Sequence, residues 1–397
     1  MAPLASKHPL DDHDEEPNIP VQQDANDDNI SQTRFTDDLE DSTPRPSALQ
    51  RKLAQAVRRD DLSSQTSSSA SRGSPSTSGR SSPSKKIRKA RTEETGFTRA
   101  NFSLHRDMMP LALQSMCDDV MRIGNGRHIL PADARDELSC LDIPPDAFAV
   151  VSDIKFRPTR YPSRGFVART HRRAVRCDFD QEGESSWNQE VHGPLLSWVC
   201  RPEDEEGFID FRYCTSAGVV KPWKPANTPS SMVDYCMIIR PDPTSAEARA
   251  IATLKAGRPG DSINHTDWGN LMQDPIFVSI ETKAQGGDAV KGTWQIATWQ
   301  ACQWRSLRDL DPAPWRDVLG FLPGIFVQGH EWFFVASIPG TSPLQSVYFD
   351  KIPVGTTSNP YGICKILAVL YYLRSWAEEH YWPMYRQRLL ATTHDLQ

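Results

Sequence analysis

The chain of 397 residues has no long uninterrupted apolar run. Its most hydrophobic stretches, near 326–338 and 366–373, are broken or too short to cross a bilayer as a helix. It also has no CxxC pair. Its eight cysteines are scattered, which argues against a zinc knuckle or a disulfide scaffold and suits a reducing compartment. A secretory leader is not expected, because MAPLASKHPLDDHDEEP turns acidic before any apolar region begins. Bulk positive charge is missing too: the formal net charge is -6, and from residue 96 onward 31 basic side chains stand against 35 acidic ones. A domain so near neutrality does not announce nucleic-acid binding by overall electrostatics.

What charge there is stands segregated. Residues 1–41 hold twelve Asp/Glu against Lys7 and Arg34, and 42–91 hold twelve Lys/Arg against Asp60 and Asp61. Residues 1–95 have no hydrophobic periodicity and are rich in Asp, Ser, Pro and Gln, so they read as a disordered region, acidic over 1–41 and basic and Ser-rich over 42–91. Lys85, Lys86, Arg88, Lys89 and Arg91 form a compact basic cluster. It suits an import receptor and hence a nuclear location, a phosphate-contacting arm, or a solvated charge run. Ser74 and Ser82 each precede proline, and a phosphate on either would oppose that cluster.

From Thr98 the pattern becomes that of a folded domain, 96–397. Apolar spacing predicts a helix over 103–123, and a capping box of Ser186 and Gln189 predicts one over 184–200. Between them the arginine-rich stretch FRPTRYPSRGFVARTHRR reads as a loop, either solvated or in contact with phosphates. Strands are expected at 208–215, 232–239 and 276–283, with a polar insertion over 240–274. A helix over 288–307, one or two strands in 324–338, a strand at 347–352 and a last helix over 362–379 complete the order. That order implies an α/β fold with a mixed sheet and helices on its faces. Trp187, Trp198, Trp294, Trp299 and Trp304 have the spacing of core residues rather than of a base-stacking platform.

The informative strand is IFVSIETK. Alternation puts Glu281 and Lys283 on one side and Thr282 on the other, with its carbonyl nearby. Such a pair is either a surface ion pair at a strand end or a buried one, and burial would be costly without a task. In SMVDYCMII an acid interrupts an apolar strand, so Asp234 needs a cation or donors. A hard divalent ion held by Asp234, Glu281 and the Thr282 carbonyl would answer that need. His265 and Asp267 lie in the polar insertion, where bonds to backbone are the ordinary outcome.

The segments NQEVHGPLL, MVDYC, SINHTDW, PIFVSIETK, WQIATWQACQW and LPGIFVQGHEWFF together resemble the PD-(D/E)XK nuclease superfamily, and within it the nuclease-like domain proteins of filamentous fungi. The resemblance implies a restriction-endonuclease-like core, α-β-β-β-α-β, with extra helices at both ends. It also implies Mg2+ or Mn2+ on Asp234, Glu281 and the Thr282 carbonyl, with Glu190 as a further helix acid, Lys283 as the water-orienting lysine and Gln295 as a helix glutamine. The expected activity is phosphodiester hydrolysis, with DNA as substrate. The alternative is an inactive nuclease-fold binding or scaffold protein. Two features depart from the pattern: Val233 stands where proline is common, and 47 positions separate Asp234 from Glu281.

Overall fold

The computed structural model describes residues 96–394 apart from 155, 157, 159, 203–204, 226–231, 312–314 and 343. These belong to one compact unit, Ser78–Gln397. The basic cluster, Ser74, Ser82 and the acidic and Ser-rich segments lie outside the described residues.

A seven-stranded mixed sheet in the order β1-β9-β8-β7-β6-β5-β4 carries the domain. Its strands are β1 (Phe97–Asn101), β4 (Ile209–Tyr213), β5 (Tyr235–Ile239), β6 (Ile276–Lys283), β7 (Leu322–Gln328), β8 (Glu331–Pro339) and β9 (Ser346–Thr356); β2 (Leu130–Pro131) and β3 (Phe148–Ala149) pair separately. β6 lies in the interior of the sheet, antiparallel to β5 and parallel to β7. All eight of its residues are buried, as a β-branched run covered on both faces should be.

The longer helices are α1 (Leu111–Gly124), α2 (Arg164–Phe179), α3 (Glu184–Trp187, a π turn Asn188–His192, then Gly193–Cys200), α4 (Ala246–Lys255), α5 (Ala289–Leu310), α6 (Pro360–Trp376) and α7 (Trp382–His394). The run α3-β4-β5-β6-α5-β7 reproduces the expected core order. Val278 and Ile280 join the larger apolar core with Val191 of α3 and Ile366 of α6. Ile276 joins a smaller one with Ile296 and Trp299 of α5, so helices cover both faces.

Several local expectations are corrected. The first helix starts at Leu111 rather than Ser103, because Pro110 has no amide to donate and disfavours helix in the residue before it. No capping box forms at α3: Gly183 is the N-cap, and the Ser186 hydroxyl donates to Glu182 at 2.8 Å. The arginine-rich stretch is half helix, started by Ser163, which accepts from the Phe166 amide. The last helix does not stop at 379. It passes through a π turn, Ala377–Tyr381, into α7, and that shift absorbs the missing amide of Pro383. The insertion between β5 and β6 holds α4, and Asn264, His265 and Thr266 within it are buried. His265 packs edge-on to Trp299 at 4.2 Å.

Candidate active site

The site begins at the last three residues of β6. The Lys283 ammonium donates to Glu281 Oε1 and to the Thr282 carbonyl, each at 2.6 Å, and to Glu184 at 3.1 Å. Alternation along the strand brings Glu281 and Lys283 together, and a turn with Gly286 at φ 76° ends the run. α5 approaches closely at Gly292. A Cβ there would meet Phe326 at 2.6 Å and the Lys283 stem at 3.1 Å, so the missing side chain makes room for the lysine.

Asp234 stands one residue before β5, already held in the ladder by its amide to Ile280 and its carbonyl to Cys214. Its carboxylate accepts from the Thr282 amide at 2.7 Å and the Thr282 hydroxyl at 2.9 Å. Both contacts are to Thr282, one through its backbone and one through its side chain. The 47-position gap closes because β5 and β6 are antiparallel neighbours.

Asn188, in the π turn of α3, links the elements. Its Oδ1 lies 2.8 Å from the Thr282 hydroxyl, whose one proton it shares with Asp234, and pairs with His192 Nδ1 at 2.9 Å, and its Nδ2 approaches Asp234 Oδ1 at 3.5 Å. Glu184 lies four residues earlier, one turn along the helix, and so reaches Lys283. Glu190 was the helix acid expected here, and it is elsewhere. Two residues beyond Asn188 puts it about half a turn around the axis. Its half-exposed carboxylate pairs with Arg173 of α2 at 3.4 Å. Gln295 donates to the Met232 carbonyl at 3.4 Å, which ties α5 to the segment carrying Asp234.

Burial sets the electrostatics. It pushes Asp234 up to about 6, helped by the Glu184 charge and opposed by the Thr282 bonds and Lys283. Burial, then Asp234, push Glu281 well above the usual carboxylate range, and Lys283 draws it partly back. Burial alone would lower Lys283, but Glu281, Glu184 and Asp234 outweigh it and hold the ammonium above its ordinary value. The arrangement is short of positive charge, and each acid makes the next harder to ionise.

A divalent cation fits this deficit. Glu281 Oε2 is buried with no hydrogen-bond partner among the described residues, so a buried carboxylate oxygen stands open beside a second carboxylate. No group of three or more His, Cys, Asp or Glu side chains able to hold a metal occurs among the described residues. An ion here would take two carboxylates and fill its shell with water, a habit of Mg2+. The Thr282 carbonyl, an expected donor, is taken up by Lys283.

Sequence reasoning missed Glu184, Asn188 and the Thr282 hydroxyl. The one available signal was an acid and an amide spaced i, i+4 on the helix before the strands. A family model described as the PD-(D/E)XK nuclease superfamily matches residues 133–382. No curated protein matches the chain.

Proposed function

Because the chain belongs to the PD-(D/E)XK nuclease superfamily, we propose that it is a divalent-metal-dependent nuclease that hydrolyses phosphodiester bonds of DNA. Superfamily members generally use divalent metals, and Mg2+ or Mn2+ is the ion we assign. The reading is carried by the Glu281–Lys283 contact at 2.6 Å beside a second carboxylate that is bonded to the residue between them.

In this reading Asp234 and Glu281 hold the ion. When bound, it would acidify a coordinated water and offset charge on the scissile phosphate. Lys283 brings a fixed positive charge to where negative charge builds on the phosphate, and Glu184 and Glu281 fix its direction. Thr282 and Asn188 set the Asp234 carboxylate, and Gln295 steadies the segment that bears it. Glu190 has no part in the chemistry. We assign residues 1–95 to a leader outside the nuclease domain, 96–397, and its basic cluster to nuclear import.

A second reading, a nuclease-fold scaffold without turnover, is favoured by one observation. The Lys283 ammonium already covers two of the donors expected for the ion, Glu281 Oε1 and the Thr282 carbonyl. Cleavage assays on single-stranded, duplex and branched DNA with Mg2+ or Mn2+ separate the readings. Metal-dependent product from the wild type, lost in Glu281→Gln and Lys283→Ala, supports the nuclease. No product from any substrate, or full activity in Glu281→Gln, overturns it.

A further inference from the structure

A cleft of about 770 Å3 opens between α2, α3 and the β4–β5 edge, and its chemistry is unlike that of the near-neutral domain around it. Asn188 and Tyr235 line it. The first hydrogen-bonds toward Asp234, the second follows Asp234 in the chain, and the Tyr235 hydroxyl donates to the Asn188 carbonyl at 2.6 Å. Asn188 and Tyr235, both buried, thus form the wall between the cleft and the carboxylates.

Four arginines line it: Arg160, Arg169, Arg173 and Arg201. Two of them are committed, Arg201 to Asp210 at 2.7 Å and Arg173 to Glu190 at 3.4 Å. Arg160 and Arg169 have no carboxylate partner among the described residues. Arg160 lies over the Trp198 ring at 3.8 Å and donates weakly to the carbonyls of Trp198 and Arg201. Phe166 packs on Trp198 with centroids 4.0 Å apart, so ring, ring and guanidinium form one layered stack at the cleft wall. Tyr213, which also lines the cleft, is 45% exposed.

Two guanidinium groups without a carboxylate partner, the flat Arg160 plane laid on Trp198 and an exposed tyrosine match a strand whose phosphates want cations and whose bases are free to stack. A duplex keeps its bases stacked inside and would leave the Arg160 plane and Tyr213 without a stacking partner. We propose that this cleft binds an unpaired nucleic-acid strand and leads it to Asp234, Glu281 and Lys283, with Arg160 and Arg169 as its phosphate contacts. The inference rests on the nuclease reading for the identity of the ligand, but its test does not require cleavage.

The test is fluorescence anisotropy of the full-length chain with labelled deoxy- and ribo-oligonucleotides, single-stranded and duplex, in EDTA. The wild type should bind a single strand of one or both sugars at least tenfold tighter than duplex. Arg160→Ala with Arg169→Ala should weaken that binding at least tenfold and flatten its salt dependence by about 1.4 in log–log slope for two lost phosphate contacts. Arg160→Lys with Arg169→Lys should recover part of the affinity. Thermal melting alongside checks that the variants are folded. Equal binding of duplex and single strand, no binding of either, or unchanged binding in a folded double-alanine variant overturns the cleft assignment. If the wild type cuts DNA while the double-alanine variant binds and cuts as before, the cleft fails and the nuclease reading stands. If the wild type binds single strands through these arginines but cuts nothing, the cleft stands and the nuclease reading fails.

Discussion

The Asp234 carboxylate accepts both the amide and the hydroxyl of Thr282, at 2.7 and 2.9 Å, although 48 positions separate the two residues. A backbone amide cannot rotate away from its strand, so this contact fixes the first acid relative to the second, Glu281, which is bonded to Lys283 at 2.6 Å.

Replacing that acid should stabilise the fold in neutral buffer. Asp234 rises to about 6 on folding from an ordinary value of 3.8. Its neutral form therefore favours the fold fully below about pH 4, and that benefit is lost as pH rises through about 6. At pH 8 the ionised group costs about 3 kcal/mol, so Asp234→Asn should gain stability of that order at pH 8 and almost none at pH 4. Urea denaturation at the two pH values measures it. An Asn variant less stable at pH 8 than the wild type would contradict the picture of a strained carboxylate.

Divalent cations should raise the melting temperature through the same two acids. At a concentration one hundred times its dissociation constant, an ion bound to the folded state adds about 2.7 kcal/mol. Scanning calorimetry with Mg2+ and Mn2+ should show the shift in the wild type and in Glu190→Gln, whose acid pairs with Arg173. Glu281→Gln should abolish it. A shift that survives Glu281→Gln but disappears in Glu190→Gln would put the ion in the wrong place.

Removing the ammonium should harm both the fold and the chemistry. Lys283→Met leaves Glu281, 1% exposed, without its cation, a change that costs about 3–5 kcal/mol when a buried pair is broken. Adding Glu281→Gln should return much of that stability, a coupling that a double-mutant cycle reads directly. Phosphodiesterase activity should fall at least about a hundredfold in Lys283→Met. Additive stability effects would mean that the two side chains do not form a pair in solution.

His192 should weaken the fold in acid. Burial holds it down to about 3, so the folded state keeps it neutral while the unfolded chain takes up a proton below about 6.5. Its contribution is thus complete above about pH 6.5 and shrinks as pH falls toward 3, by about 1.4 kcal/mol per pH unit. Between pH 7 and 4.5, His192→Gln should lose about 3 kcal/mol less than the wild type. Parallel pH profiles for the two proteins would show that the imidazole takes a proton without unfolding.

How far the sequence reads depends on how far apart the causes lie. The bounds of β6, Ile276–Lys283, agree with the expectation because an apolar β-branched run closed by glycines specifies a strand by itself. The placing of Glu281 with Lys283 follows from the two-residue period of that strand. α5 begins one residue after the expected position because Asp288 caps it through the Lys291 amide. The exchange of Glu190 for Glu184 could not be read this way. The face a helix turns to a sheet depends on the π turn at Asn188–His192 and on its packing against α2, and neither leaves a mark in local composition. Nor could the union of Asp234 with Thr282, which needs β5 and β6 to pair across a 35-residue insertion, 240–274. The sequence by itself determined which residues form the strand and which side chains share a face of it, since alternation is a property of the backbone alone. Only the tertiary structure decided which helix acid meets Lys283, how Asp234 is held and where Arg160 and Arg169 come to line one cleft, because those depend on contacts between segments distant in the chain.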